Sequence, residues 1–194
     1  METVARIKHQ RMLDELLTVC RENLRSVNED LIRKAFQFSY ECHKNDFRAS
    51  VEPYFYHPYE VAMIVAREIP LDDVSVVSAL LHDVVEDSDI KLDFIAKEFG
   101  SDVAEIVDGV TKMGSLFKDQ EILKTEDQRK AENYRKLLLS MIKDVRVIIV
   151  KFADRLHNMR TLEFVTPQKQ IRIAKETQEI YAPLAHRFGL GAIK

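Results

Sequence analysis

The scarcity of helix-breaking residues is the feature that most restricts the fold of this chain. Its 194 residues include only five glycines and five prolines, while 46% of the residues are apolar. Apolar side chains recur at spacings typical of one helix face, first at Leu13, Leu16, Leu17, Cys20 and Leu24. Few breakers over such a length favour long helices over a many-stranded sandwich. We therefore predict one all-α domain with a packed core.

Further helical segments follow along the chain. A second helix begins after Asn28, a suitable N-cap, and we expect it to form a hairpin with the first. Residues 44–58 read as irregular and 113–128 as a mobile loop. The β-branched run 145–150 suits a strand, but without visible partner strands it predicts a buried helix. Other helices are predicted over 59–68, over 72–85, over 92–99 up to Gly100, after Ser101 as a cap, over 129–141, and from Thr166-Pro167 to about Tyr181.

Charge and composition exclude several classes of protein. The net charge of −3 argues against a nucleic-acid-binding domain, although a local basic patch could hold a phosphorylated ligand. No apolar run approaches the roughly 18 residues of a transmembrane helix, and the N-terminus lacks the apolar segment of a signal peptide. Cys20 and Cys42 form no C-x-x-C motif. We expect a reduced, cytoplasmic protein that contacts no membrane.

Residues 82–87, HDVVED, carry the most informative chemistry. On a helix, Glu86 lies one turn after His82 and Asp87 one turn after Asp83, so four titratable groups gather at the end of an apolar helix. Burying such groups is costly unless a metal ion or partners compensate. A solvated acidic helix end is the alternative that this segment alone leaves open.

Two distant segments add ligands of the same kind. His57 precedes Pro58 at the start of an apolar helix, and Asp154 follows an apolar run. With His82 and Asp83 they supply two imidazoles and two carboxylates, a set that suits Mn, Fe, Co or Zn with open positions for water and substrate. This H…HD…D order resembles the signature of the HD phosphohydrolases.

The flanking sequences narrow that resemblance. Five segments closely resemble the hydrolase domain of RelA/SpoT-type alarmone enzymes: HDVVED (82–87), VDGVTKMG (107–114), AENYRK (131–136), VKFADRLHNMRTL (150–162) and KETQEIYAPLAHRFGL (175–190). The resemblance covers residues 25–194 and implies a single HD-domain helical bundle. It also implies a stringent-response enzyme that removes the 3′-pyrophosphate of ppGpp or pppGpp, giving GDP or GTP plus pyrophosphate.

The same resemblance implies roles for individual residues. The residues that correspond to the ligands of a Mn²⁺ cofactor are His57, His82, Asp83 and Asp154. Glu86 and Asp87 correspond to the acidic pair that activates and orients the attacking water, which agrees with the ability of a carboxylate to accept a proton during attack.

The resemblance also implies contacts to the guanine nucleotide. Asn158 matches a nucleotide contact, and Thr161 lies on the same helix face as Asp154. Arg48 and Ser50 match a loop that contacts the base, where a guanidinium can stack on a purine. Lys112 and Tyr181 are weaker candidates, since an exposed cation and a core aromatic would have the same sequence signal.

This chain departs from the family pattern within the base-contact loop. Ala49 and Val51 stand where family members often carry Lys and Gly. The departure leaves the proposed metal ligands intact, so it concerns base recognition alone.

Two alternative functions remain open at the level of sequence. One is an HD phosphohydrolase that acts on another nucleotide, and the other is a non-catalytic module that binds nucleotide or regulates a partner. The motif at residues 181–187 leads into a synthetase domain in long members of the resembling family. We therefore expect residues 1–194 to be the N-terminal fragment of a longer bifunctional protein with a synthetase domain in the same chain.

Overall fold

The computed structural model describes residues 2–118 and 144–190, with side chains over 7–113 and 144–190. These residues form helices, and an isolated antiparallel bridge between Phe47 and Pro53 is the only strand-like pairing among them. None of these helices is long and apolar enough to cross a membrane. The helices are α1 (Glu2–Asn23), α2 (Glu29–His43), α3 (Tyr56–Glu68), α4 (Asp73–Leu81), α5 (Val84–Asp87), α6 (Leu92–Phe99), α7 (Ser101–Lys118), α8 (Val145–Arg160), α9 (Pro167–Glu176) and α10 (Ala182–Arg187). The predicted all-α fold is confirmed, as is the helix over 145–150, which is buried over residues 147–150 but not at Val145, which is 47% exposed.

Helices α3 and α4 form the centre of the domain, because a long stretch of each is mostly apolar and buried on all sides. Residues 61–66 of α3 and 75–81 of α4 are all buried. Helix α3 packs against α1, α4 and α8, while α4 also packs against α2 and α7. A helix that is apolar all round needs neighbours on all sides. The ends of these two helices therefore lie close to the core, and they carry His57 and His82.

Side chains at the helix starts largely follow the sequence expectations. Asn28 accepts a hydrogen bond from the Leu31 amide at 3.1 Å, and Asp72 accepts one from the Ser75 amide at 2.8 Å. Gly100 ends α6 with a φ of 99°, a conformation that favours glycine. The predicted cap at Ser101 is wrong, because Ser101 is already the first residue of α7 and the Gly100 carbonyl accepts from the Ala104 amide.

The start of α3 and the end of α7 differ from the predicted boundaries. Helix α3 begins at Tyr56, earlier than predicted, so that His57 and Pro58 lie in its first turn, where a proline is tolerated because no helical partner is lost. The predicted loop is wrong over 113–118, which continue α7. Met113 is 1% exposed, and its burial favours extension of the helix. Residues 119–128 of that loop, and the helix predicted over 129–141, lie outside the described residues.

The C-terminal helix is not uniform. Helix α9 begins at Pro167 as predicted, but from Thr177 to Tyr181 the chain widens into a π turn before α10. Pro183 lies in the first turn of α10. Because proline has no amide hydrogen and clashes with the preceding turn, a continuous regular helix through this position is disfavoured. The widened turn accommodates the proline and keeps the chain helical.

Candidate metal centre

The segment between α4 and α5 presents two of the predicted ligands. Helix α4 ends at Leu81, so the prediction of one helix through Val85 is wrong. The His82 ring Nδ1 lies 2.7 Å from the Ala79 carbonyl oxygen, the acceptor that a continuing helix would use for the Asp83 amide. Competition by a side chain for a helix carbonyl is a recognised way to end a helix. Because Ala79 accepts from Nδ1, the lone pair of His82 lies on Nε2.

His57, His82 and Asp83 form a compact group of ligand atoms. One ligand atom from each residue lies within 4.8 Å of the other two. His82 Nε2 is 3.2 Å from Asp83 Oδ1, and His57 Nε2 is 3.5 Å from Asp83 Oδ2. Both histidines are buried, His57 at 3% exposure and His82 at 1%. Helix α3 supplies His57 from its first turn, and the end of α4 supplies the other two.

Asp154 borders this group from α8. Its Oδ1 is 3.4 Å from His57 Nε2, and its carboxylate also accepts from Lys151 at 2.7 Å and from Asn158 at 2.6 Å. Lys151, Asp154 and Asn158 share one face of α8, since they lie three and four residues apart. The structure thus brings all four predicted ligands to one place, with Asp154 held partly by its own helix.

Burial and charge set the protonation of this site. Burial would raise the pKa of Asp154, but Lys151 and the nearby histidines outweigh it and hold this pKa well below the ordinary range. His82 and His57 similarly outweigh the effect of burial on Asp83 and lower its pKa. Burial lowers the pKa of His57. The site therefore combines ionised carboxylates with a neutral His57 at neutral pH, which are the forms that bind a metal.

His157 and Arg48 connect the ligands to the loop between α2 and α3. His157 Nδ1 lies 2.8 Å from His57 Nδ1 and 3.1 Å from Arg48 Nη1. The other guanidinium arm of Arg48 donates to Asn158 Oδ1 at 3.0 Å, and Asn158 in turn donates to Asp154. Each arm of Arg48 thus reaches a metal-ligand candidate through one residue of α8. Burial, His57 and Arg48 lower the pKa of His157 to about 3.

Tyr54 links Asp83 to the acidic pair on α5. Its hydroxyl donates to Asp83 Oδ2 at 2.8 Å and also interacts with Asp87. Partial burial of the carboxyl group and the charge of Asp83 raise the pKa of Asp87, although the Tyr54 hydrogen bond acts in the opposite direction. Glu86 and Asp87 are both exposed, and Asp87 is connected to Asp83 through Tyr54. Both carboxylates are therefore accessible to water.

The remaining predicted contacts lie at varied distances from the ligand group. Ser50 Oγ donates to Glu52 at 3.1 Å within the Arg48 loop, and Thr161 Oγ1 donates to the His157 carbonyl at the end of α8. Lys112 pairs with Asp108 on α7. Tyr181 is 2% exposed, packs edge-on against Phe152 and lies under the Arg155 guanidinium. Its described surroundings are those of a core aromatic.

Val51 is the one described residue other than glycine with a positive φ, at 66°. Its amide donates to the Arg48 carbonyl at 2.9 Å and closes a tight turn, and its side chain is 79% exposed. A β-branched residue is strained in this left-handed region, which glycine adopts freely. Valine at this position therefore allows the same turn but makes its backbone strained.

Sequence reasoning missed three residues that contact the ligand group: Tyr54, Lys151 and His157. Lys151 and His157 lie three residues before and three after Asp154, so a helical projection of the VKFADRLHNMR segment places all three on one face. That signal was present in the sequence. Tyr54 lies in a loop 29 positions from its partner Asp83, and no periodicity indicates such a contact.

Comparison with known proteins gives long matches. A Myxococcus xanthus protein described as GTP pyrophosphokinase is 47% identical over 165 residues, which are 85% of this chain and 21% of that protein. A Vibrio cholerae protein described as guanosine-3′,5′-bis(diphosphate) 3′-pyrophosphohydrolase is 45% identical over 184 residues, 94% of this chain and 25% of that protein. The chain thus spans about a fifth to a quarter of these curated relatives.

Structural comparison agrees with the sequence matches. A solved structure, described as a metazoan ortholog of SpoT that hydrolyzes ppGpp and plays a role in starvation responses, matches with a TM-score of 0.61 and 26% identity. The match covers 77% of this chain and 83% of that one. A family model described as HD domain matches residues 35–191, which include all four predicted ligands and both acidic residues of α5. The chain belongs to the HD domain family.

Proposed function

We propose that this chain is a Mn²⁺-dependent hydrolase domain that removes the 3′-pyrophosphate of ppGpp or pppGpp. The observation that carries the proposal is the meeting of His57, His82, Asp83 and Asp154 beside Arg48 and Asn158. The first four suit a divalent metal, and the other two suit a nucleotide. Relatives described as a 3′-pyrophosphohydrolase and as a GTP pyrophosphokinase support a guanine nucleotide as the substrate.

The chemistry of the donor atoms fits a divalent ion. His82 Nε2 is buried and makes no hydrogen bond within the described part of the chain, a costly state for a polar atom without a ligand. It faces the Asp83 carboxylate, and His57 Nε2 faces both Asp83 and Asp154. Two imidazoles with two carboxylates suit Mn²⁺ as they suit Fe, Co and Zn, and the resemblance to alarmone hydrolases favours Mn²⁺. When bound, such an ion polarises phosphoryl oxygens and makes water more acidic.

We assign proton transfer to the acidic pair of α5. Asp87 is connected to Asp83 through Tyr54 and has a raised pKa, which makes its carboxylate a better proton acceptor. Glu86 precedes it on α5 and is exposed. Tyr54 donates a hydrogen bond to Asp83 and so orients this carboxylate at the boundary between the ligand group and the water-activating pair.

We assign recognition of the base to the Arg48 loop. Arg48 uses its edge donors on His157 and Asn158, which leaves the flat face of the guanidinium to stack on a purine. Ser50 lies two residues away in the same turn, Asn158 lies on α8, and Thr161 lies just after its end. Lys112 and Tyr181 remain weaker proposals, because their described contacts are with Asp108, Phe152 and Arg155.

The relatives also support a larger parent protein. Because the chain spans only 21% and 25% of two relatives, we propose that the parent protein also carries a synthetase domain. We propose separately that the hydrolase domain itself binds no nucleic acid. A cytoplasmic location stays a prediction of the sequence.

An assay on ppGpp tests the proposal. The protein is freed of metal with a chelator, supplied with Mn²⁺ and ppGpp, and the products are separated by chromatography. The proposal predicts GDP and intact pyrophosphate with Mn²⁺, and no turnover without a divalent ion. Release of orthophosphate, or cleavage at the 5′ diphosphate, would contradict it. Turnover of other nucleotides in place of ppGpp would favour a different HD phosphohydrolase, and binding without turnover would favour a regulatory module.

A further inference from the structure

His157 has a position that no sequence motif assigns to it. It lies on α8 three residues after Asp154 and is 8% exposed. Its Nδ1 atom is 2.8 Å from His57 Nδ1, on the side of the His57 ring opposite to the ligand group, and 3.1 Å from Arg48 Nη1. One nitrogen atom of His157 therefore has two polar neighbours from two different segments.

The chemistry of these neighbours fixes where the protons lie. Arginine has donors and no acceptor, so His157 Nδ1 must be the unprotonated nitrogen that accepts from Arg48. His57 Nδ1, 2.8 Å from the same lone pair, must then carry a proton and donate. A neutral imidazole has one N–H, so the lone pair of His57 lies on Nε2. That atom is the one that faces Asp83 and Asp154 at 3.5 and 3.4 Å.

We propose that His157 is a positioning residue that holds His57 in the tautomer required for metal binding. The inference rests on the proposed metal site and adds the residue that prepares it. Without an acceptor at His157, the proton of His57 would move to Nε2, where two carboxylates offer acceptors. That tautomer has no lone pair on Nε2, the atom that faces the proposed metal site.

The two histidine ligands are thus prepared by different means. The backbone carbonyl of Ala79 accepts from His82 Nδ1, and a carbonyl oxygen can act only as an acceptor. The acceptor for His57 is a side chain whose own tautomer is fixed by Arg48, the proposed base contact. Partners of this kind, behind a metal-bound imidazole, set its orientation and basicity. His57 is therefore the ligand whose readiness depends on a neighbouring side chain.

Nitrogen NMR of the histidine rings in the full chain, without metal, tests the tautomer directly. Only six histidines are present, so His57 is assigned by its loss in a His57→Asn variant. We expect a protonated Nδ1 and an unprotonated Nε2 in the wild type. In His157→Leu, which removes the acceptor, we expect the proton on Nε2. His157→Asn places a carbonyl oxygen near the position of Nδ1 and should restore the wild-type pattern. His186→Leu, at an exposed site on α10, is the control that should leave His57 unchanged.

Mn²⁺ affinity, measured from free Mn²⁺ by electron paramagnetic resonance, supplies a second readout that does not depend on turnover. We expect a loss of roughly 10- to 100-fold in His157→Leu and a loss of no more than about 3-fold in His157→Asn, since its acceptor is kept. Equal loss in both variants, or a wild-type His57 with its proton on Nε2, would overturn the proposal. The wild-type spectrum decides the point even if His157→Leu fails to fold. Absence of Mn²⁺ binding in the wild type would refute the proposed metal function instead, while the tautomer would still decide the role of His157.

Discussion

The ligand group and the Arg48 loop serve one proposed site but are built in opposite ways. The ligands lie at the ends of the buried helices α3 and α4 and on α8, where packing fixes the backbone and each histidine has a defined hydrogen bond. The loop over 46–54 is held by a few backbone hydrogen bonds, with Phe47 and Val51 exposed. A metal site requires strict geometry, whereas base recognition tolerates adjustment of a loop.

Arg48 joins the two regions. Its guanidinium bonds to His157 and Asn158, which bond to His57 and Asp154 in turn. We therefore predict that changes in the helices abolish metal binding, that changes in the loop alter substrate affinity, and that a change at Arg48 acts mainly on substrate and less on the ligand group.

The largest effect is expected from Asp154→Ala. Removal of this carboxylate deletes a proposed ligand and leaves the half-buried Lys151 without its ion-pair partner Asp154. We expect loss of Mn²⁺ binding and a fall in kcat of at least about 10³-fold, since metal assistance contributes several kcal/mol to the reaction. Metal titration and steady-state kinetics measure both. Retained Mn²⁺ affinity would remove Asp154 from the ligand set.

Asp87→Asn should separate catalysis from metal binding. The amide keeps the size of the side chain but cannot act as a base, so we expect kcat to fall by roughly 10²- to 10⁴-fold with Mn²⁺ affinity unchanged. Asp89→Asn, an exposed neighbour, is the matched control and should behave as wild type. If Asp87→Asn turns over normally, the water-activating role belongs to Glu86 or to another group.

Arg48→Ala should act mainly on substrate. Stacking of a guanidinium on an aromatic face contributes about 0.5–2 kcal/mol, so we expect KM to rise by roughly 3- to 30-fold with a smaller change in kcat. Arg25→Ala, exposed between α1 and α2, serves as the control. A fall in kcat with constant KM would show that Arg48 serves the ligand group more than the base.

Low pH should destabilise the fold, because His157 on α8 is held in its neutral form. Its pKa is about 3 in the fold against an ordinary 6.5, so the unfolded chain takes up the proton first. The contribution of neutral His157 to the free energy of unfolding is therefore complete above about pH 6.5 and is lost as the pH falls toward 3. Without metal, we expect each unit fall in pH to lower the free energy of unfolding of the wild type by up to about 1.4 kcal/mol more than that of His157→Asn. Parallel pH profiles from urea unfolding would contradict this.

The smallest effect is expected in the loop. Val51→Gly removes the strain of a positive φ, worth about 1–2 kcal/mol, but adds roughly 0.5–1 kcal/mol of chain entropy in the unfolded state. We expect a net gain of about 1 kcal/mol or less. Ala49→Gly, at an ordinary φ in the same turn, should instead lower stability. Equal effects of the two substitutions in thermal unfolding would show that Val51 is not strained.

The sequence predicted the fold better than the connections within the site. Helical spacing identified α2 and α6, because apolar periodicity is a local signal, whereas α8 was predicted because its β-branched run had no visible partner strands. It could not predict the end of α4 at Leu81, since this depends on the His82 ring reaching the Ala79 carbonyl. The extension of α7 to Lys118 was also missed, in a segment whose polar composition resembles a loop.

Within the site, the candidate ligands were found because their residue types and order carry chemistry by themselves. Tyr54 was missed because its role depends on a contact between distant segments. Helical projection places His157 on the face of Asp154 but does not indicate its contacts with His57 and Arg48. His157 meets His57 across 100 positions and Arg48 across 109 positions. A tyrosine in an aromatic segment and a histidine on a helix have many ordinary roles, and only the three-dimensional arrangement distinguishes these two.

Anomalous diffraction from a crystal of the protein with Mn²⁺ would locate the metal among the four proposed ligands. We expect one strong Mn²⁺ peak within coordination distance of His57 Nε2, His82 Nε2, Asp83 and Asp154, with His57 Nδ1 still hydrogen-bonded to His157. A peak that excludes Asp154, one on His157 itself, or no peak among these residues at saturating Mn²⁺ would contradict it.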